Sequence, residues 1–176
     1  MIRKSARLAL AASLALGTSA LAHDGPHVSD AQIAHIAYTA GQIDVEAARQ
    51  ALARSRNEEV RAFARTMVRD HEAVNAQALA LVKKLGVAPE ANPTSAALTA
   101  GAAEKKNSLA ALQGAAFDRA YAQNEIAFHR TVNGALQSTL IPGAKNGELK
   151  ALLETGLALF REHQGHAEHL SAGLGR

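Results

Sequence analysis

The sequence has no cysteine and no tryptophan, and only two tyrosines and four phenylalanines among its 176 residues. Without thiols there is no disulfide, thiolate zinc site, iron–sulfur cluster, cysteine nucleophile or lipid anchor on cysteine. Any metal must rest on His, Asp or Glu. Long apolar runs are also lacking: nothing beyond residue 22 approaches the roughly 18 apolar residues of a membrane-spanning helix. G-x-S-x-G, P-loop, H-E-x-x-H and dinucleotide-binding glycine patterns are absent. No catalytic residue and no nucleotide cofactor site is therefore assigned.

Charge of one sign is scarce once the first residues are set aside. Arg3, Lys4 and Arg7 precede an apolar run from Leu8 to Leu16, and Ala20-Leu21-Ala22 is a small-x-small cleavage pattern. These features predict an export signal over 1–22, a polar arm over 23–28 and a periplasmic or secreted domain over 29–172. Three of the 19 Lys and Arg lie in the signal, leaving 16 against 16 Asp and Glu. With basic residues scattered among acids and few aromatics between them, nothing favours nucleic acid as a partner. The sequence leaves a protein partner and homo-oligomerisation open.

Ala, Leu, Glu and Arg dominate, and no segment alternates like a strand. Caps and breakers place helices at about 30–54, 57–85, 115–140 and 146–172: Ser29 with Gln32, Ser55 with Glu58, then Gly86 with Pro89 and Pro93. Gly134 reads as a packing point. Residues 87–114 admit two architectures, a helical hairpin partner for the second helix or a crossover along the whole bundle. Only the crossover brings His71 and His129 level, 14 residues past Asn57 and Ala115 respectively. The expected fold is an all-α four-helix bundle of ferritin-like type with that long crossover.

What the sequence does have is histidine at inward positions. Val60, Ala64, Met67, His71, Val74, Ala78, Leu81 and Leu85 alternate four- and three-residue steps, which keep one helix face inward. Leu149, Leu153, Gly156, Phe160, His163, Ala167, Leu170 and Leu174 do the same. A second register of the last helix, through Leu152, Leu159 and His166, is equally regular and would turn His163 and His166 inward together. Glu125 and His129 share a face four residues apart, and Asp44 lies beside the stripe Ile33, Ile36, Ala40, Ile43, Ala47. Asp70 reads as a surface residue, and His35 has no nameable partner. A buried ring needs a partner, and neutral imidazoles suit zinc, copper, iron or nickel. The expected ligands are His71, Glu125, His129, His163 and His166, with Asp44 as a weaker addition, around one divalent transition metal. Burial predicts imidazole pKa values below the ordinary one, with Glu125 raising that of His129.

Several blocks resemble one family. Val60-Arg61-Ala62-Phe63-Ala64-Arg65-Thr66-Met67-Val68-Arg69-Asp70-His71, Gly114 to Tyr121, Leu140-Ile141-Pro142 and the His163-x-x-His166 pair are similar to signatures of the exported bacterial family called domain of unknown function 4142. The resemblance covers residues 29–172 and implies a ferritin-like bundle, a putative outer-membrane label and recurring polar positions at His71, Glu125, His129, His163 and His166. The chain departs from ferritin-like di-iron enzymes, which use Glu-x-x-His motifs; it has none. The outer-membrane label conflicts with the absence of barrel strands.

Three functional readings follow. The first is a metal-binding bundle for storage, buffering or sensing. The second is a non-enzymatic structural or envelope-stress protein whose histidines only hydrogen-bond. The third, a metal-dependent oxidoreductase, needs an open coordination position.

Overall fold

Capping residues set where each helix begins in the computed structural model, which describes residues 28–175. The expected export signal and nearly all of the arm, with His23 and His27, lie outside the described residues. Helix α1 (Asp30–Arg54) starts behind Ser29, whose hydroxyl accepts from the Gln32 N–H while the Gln32 side chain accepts from the Ser29 N–H. Helix α2 (Glu58–Leu85) starts behind Asn57, whose side chain accepts from the Glu59 and Val60 N–H groups, and stops at Gly86 with φ 64°. Ser55 is thus not the cap that its spacing to Glu58 suggests. Asn57 is two residues nearer the first turn, and the Ser55 hydroxyl accepts from the Asn57 N–H instead. Helix α3 (Pro93–Ala110) starts behind Asn92 with proline in its first turn, where a missing N–H costs nothing. Helix α4 (Gly114–Ala135) runs on through a π turn, Leu136–Leu140, and a single α turn, Ile141–Gly143. Helix α5 (Gly147–Leu174) starts behind Asn146.

Among the described residues the fold is all-α. The hydrogen bonds between elements fix its topology. At one end of α3, Asn92 donates to the Gln32 carbonyl; at the other, Arg54 donates to the carbonyls of Ala110 and Leu112. Helix α3 therefore lies along α1 in the same direction and carries the chain back to the end where α2 began. Helix α4 consequently runs with α2, not against it. Helix α5 returns against α4, tied by Gln123 to Ser171 and by Arg161 to Gln137. The Asp30 carboxylate accepts from the Lys145 and Asn146 N–H groups at 2.8 Å each, fixing the start of α1 to the start of α5.

Helices α1, α2, α4 and α5 supply nearly all of the core, which comes in two apolar clusters. One contains Val60, Phe63, Met67, Phe117, Tyr121 and Leu170; the other contains Ile33, Ile36, Val82, Leu140, Leu149 and Leu153. Each fully buried large side chain there contributes about 1.5–3 kcal/mol. Helix α3 buries only Ser95 and Leu109, so it adds little by this route. Between the two clusters along all four core helices lie buried polar residues: Asp44, His71, Asn75, Glu125, His129 and His163.

The stripes hold in part. In α5 every expected position from Leu149 to Leu170 is buried in the first register. In α1 the stripe passes from Ala40 to Asp44, Ala48 and Ala51, leaving Ile43 and Ala47 half-buried. In α2 it passes from His71 to Asn75 and Val82. A straight helix drifts against a strict seven-residue repeat, which accounts for both shifts. Gly134 is exposed with open space around its Cα, so it is no packing point. The glycine that permits close approach is Gly41, where a Cβ would lie 2.9 Å from Asn75 Cγ.

Candidate metal centre

The polar layer is built from one or two residues of each core helix. His71, His129 and His163 form a near-equilateral triangle, with ring centroids 5.6, 5.2 and 5.5 Å apart. All three are at most 3% exposed. Asp44 enters from α1, with Oδ2 3.6 Å from His71 Nε2 and 3.5 Å from His129 Nε2. Glu125 approaches from α4, its Oε2 3.8 Å from His129 Nδ1. Two sets of ligand-type atoms gather within 4.8 Å: one nitrogen each from His71, His129 and His163, and atoms of Asp44, Glu125 and His129.

The hydrogen bonds assign the tautomers. His129 Nδ1 lies 3.0 Å from the Glu125 carbonyl oxygen, which can only accept, so Nδ1 carries the proton. Its Nε2 is then a lone pair, buried without a partner and aimed toward Asp44. His163 Nε2 lies 3.0 Å from Asp70 Oδ2. Asp70 is held as an anion chiefly by Arg69, whose Nε is 2.6 Å from Oδ1, so its pKa is lowered and the imidazole donates. His163 Nδ1 is thereby left as a second buried lone pair without a partner. His71 has no hydrogen bond at either nitrogen; its ring stacks on Phe160 at 4.6 Å and 9°.

Burial governs the protonation of the layer. Desolvation, then the neighbouring imidazoles of His129 and His163, push the His71 pKa down to about 2. Desolvation brings His129 to about 4 despite its backbone hydrogen bond, and lowers His163 against the pull of Asp70. Desolvation raises Asp44 to about 8, and raises Glu125 well above the usual carboxyl range with help from Asp44. Glu125 therefore raises the pKa of His129 only through its backbone carbonyl, and its carboxyl does not do so as the spacing suggests. Without a cation the layer is a set of neutral rings and neutral acids.

These buried His, Asp and Glu groups could hold a metal ion. A tetrahedral ion with bonds near 2.1 Å holds its ligand atoms about 3.4 Å apart. The two contacts of Asp44 Oδ2 with imidazole nitrogens come within 0.2 Å or so of that separation. Backbone and carboxylate acceptors on the far nitrogens of His129 and His163 are the usual outer supports of metal-bound histidine. Both Asp44 oxygens lack a hydrogen-bond donor, as does Glu125 Oε2.

Of the residues expected as ligands, the structure brings together His71, Glu125, His129 and His163. It does not bring His166, which is exposed and lines a surface depression with Glu59, Thr66 and His169. Only one α5 register can face inward, and Ala167 takes that place. Asp44, expected as the weaker addition, is at the middle of the layer at 1% exposure. Asp70, read as a surface residue, supports His163. The signal for Asp44 was present in the spacing Ala40, Asp44, Ala48, Ala51; the signal for Asp70 was not, because its partner lies 93 residues away. His35 finds Thr39 Oγ1 at 3.4 Å, one turn along its own helix.

Comparison with known families gives one match, to the family described as a domain of unknown function, DUF4142, over residues 15–170. The chain belongs to that family. No curated protein and no solved structure matches it.

Proposed function

We propose that this DUF4142 chain is a ferritin-like four-helix bundle of the bacterial envelope that holds one divalent transition-metal ion in its core. His71, His129, His163 and Asp44 are the ligands, with Glu125 beside them. The observation that carries this reading is the pair of fixed tautomers. His129 and His163 each spend one nitrogen on a nearby acceptor and keep a buried lone pair for the layer they share with Asp44. A layer made only for internal hydrogen bonds would not leave both nitrogens of His71 without a partner.

The bundle type is supported by the parallel course of α2 and α4, joined along the length of α1 by α3. Export is supported by the basic-then-apolar opening of the sequence. Closed shells of buried protein ligands hold metals where catalytic sites keep a position open. The ligands' burial leaves them out of contact with bulk water, which favours slow exchange. One slowly exchanging ion per chain suits sequestration or sensing better than bulk storage or turnover.

The test is metal uptake by the full chain purified without an affinity tag. Zinc, copper or ferrous iron added at pH 7 is expected to bind at about one ion per chain. Binding should raise the melting temperature, because the ion engages the folded state. His129→Leu should abolish uptake. No saturable uptake of any of the three metals leaves the layer as a purely structural feature and ends this reading.

A further inference from the structure

Protein interiors pack like organic crystals and keep few voids larger than a water molecule. Beside the polar layer this chain departs from that norm with a cavity of about 330 Å³. Its walls are aliphatic and come from all four core helices: Ile36, Val82, Leu136, Leu149 and Leu153 among them. No charged side chain of the described residues lines it. At its inner end Phe160 stacks on His71, so the cavity abuts the metal layer. Exposed Thr94, Thr131 and Thr139, from α3 and the α4 segment, form its rim.

Two features are out of place in a merely imperfect core. Asn75, an amide among the described residues of the wall, is 4% exposed, and its Nδ2 has no hydrogen-bond partner and is buried against Gly41. Gly41 is the residue that makes room for it. The π turn Leu136–Leu140 supplies Leu136, Thr139 and Leu140 to the same wall, and π turns are rare and concentrate at functional sites.

We infer that this cavity binds one aliphatic acyl chain of about ten carbons, its chain lying between α1, α2, α4 and α5 and its head at the threonine rim. Size sets the length: at roughly 30 Å³ per small group, close to water's share of liquid volume, the space holds about eleven methylene-sized groups. The aliphatic walls exclude sugars and nucleotides, whose polar groups would be stranded there. They equally disfavour an ionised head, which stays at the rim.

This inference does not rest on bound metal, so its test uses the full chain after chelation. Decanoic acid and methyl decanoate are titrated by calorimetry and followed by melting temperature. The acyl compounds should bind saturably at one per chain and raise the melting temperature. Ala135→Leu, which adds bulk to the wall, should remove both effects. A diazirine-bearing decanoic acid should label residues of the wall in the unaltered chain, which keeps the question decidable if Ala135→Leu does not fold. Absence of saturable binding, equal binding by a folded Ala135→Leu, or labelling only on the surface would each overturn it.

Discussion

His163 and Asp70 show how one surface side chain can govern a buried one. The Asp70 side chain is 16% exposed and is bonded on its outer side by Arg69, 72% exposed; through Asp70 the His163 ring is locked with Nδ1 facing inward. Loss of such a support usually lowers metal affinity about 10- to 100-fold. Asp70→Ala should therefore weaken zinc binding by that factor in a chelator-competition titration. Arg69→Ala, which leaves the His163–Asp70 bond in place, should change it by no more than about threefold, since exposed ion pairs contribute little. Equal losses in the two variants would show that His163 is oriented by something other than this bond. The sequence concealed the arrangement because adjacency of Asp70 to His71 points their side chains about 100° apart on the helix, toward different neighbours.

At the scale of elements, what was legible followed from what a stripe measures. Helix α5 is read correctly from Leu149 to Leu170 because small and large apolar residues occupy every inward position but that of His163. Its rival register was just as regular in sequence; Ala167 fits the crowded interior where His166 would not. Helix α1 is read correctly only as far as Ala40, because a search for hydrophobes passes over a buried acid. Helix α3 has no apolar face and could not be placed by periodicity. Its position depends on caps and on Gln50 and Arg54 of α1, contacts 56 to 58 residues apart. Helices α1 and α2 approach closely at Gly41, which lies over Asn75. Gly41→Ala removes a backbone-entropy cost in a helix, worth about 1 kcal/mol in its favour. The overlap with a buried amide costs more, as overpacking typically does at about 1–3 kcal/mol. The expected outcome is net destabilisation by about 1 kcal/mol in denaturant melts, relieved in the double variant with Asn75→Ala. An increase in stability from Gly41→Ala alone would mean that the Asn75 side chain moves away at no cost.

For the whole molecule, the polar layer makes the sign of pH dependence a report on metal. In the metal-free chain Asp44 is raised to about 8 and Glu125 is raised as well. A raised acid contributes its full stability below its unfolded pKa, near 4, and loses it as pH climbs toward the folded value. The depressed histidines act in the opposite sense. Their contribution is complete above the unfolded value near 6.5 and is lost as pH falls toward about 4 for His129 and about 2 for His71. Between about pH 4.5 and 6.5 the two sets oppose one another and stability changes little. From about pH 6.5 to 8 only the acids change, so the metal-free chain should lose stability with rising pH, on the order of 1 kcal/mol per pH unit for Asp44, with Glu125 acting in the same direction. A bound cation reverses this, since it stabilises ionised Asp44 and neutral imidazoles and its affinity rises as protons leave the ligands. Denaturant melts at pH 6.5, 7.2 and 8.0, with chelator and with zinc, should therefore slope in opposite directions. Asp44→Asn should reduce the slope of the chelator series, leaving the part due to Glu125, and remove the reversal. Parallel slopes with and without zinc would mean that the ion does not reach Asp44. A flat series with chelator would mean that both acids are already ionised at pH 6.5, and that the layer is wetter than its burial implies.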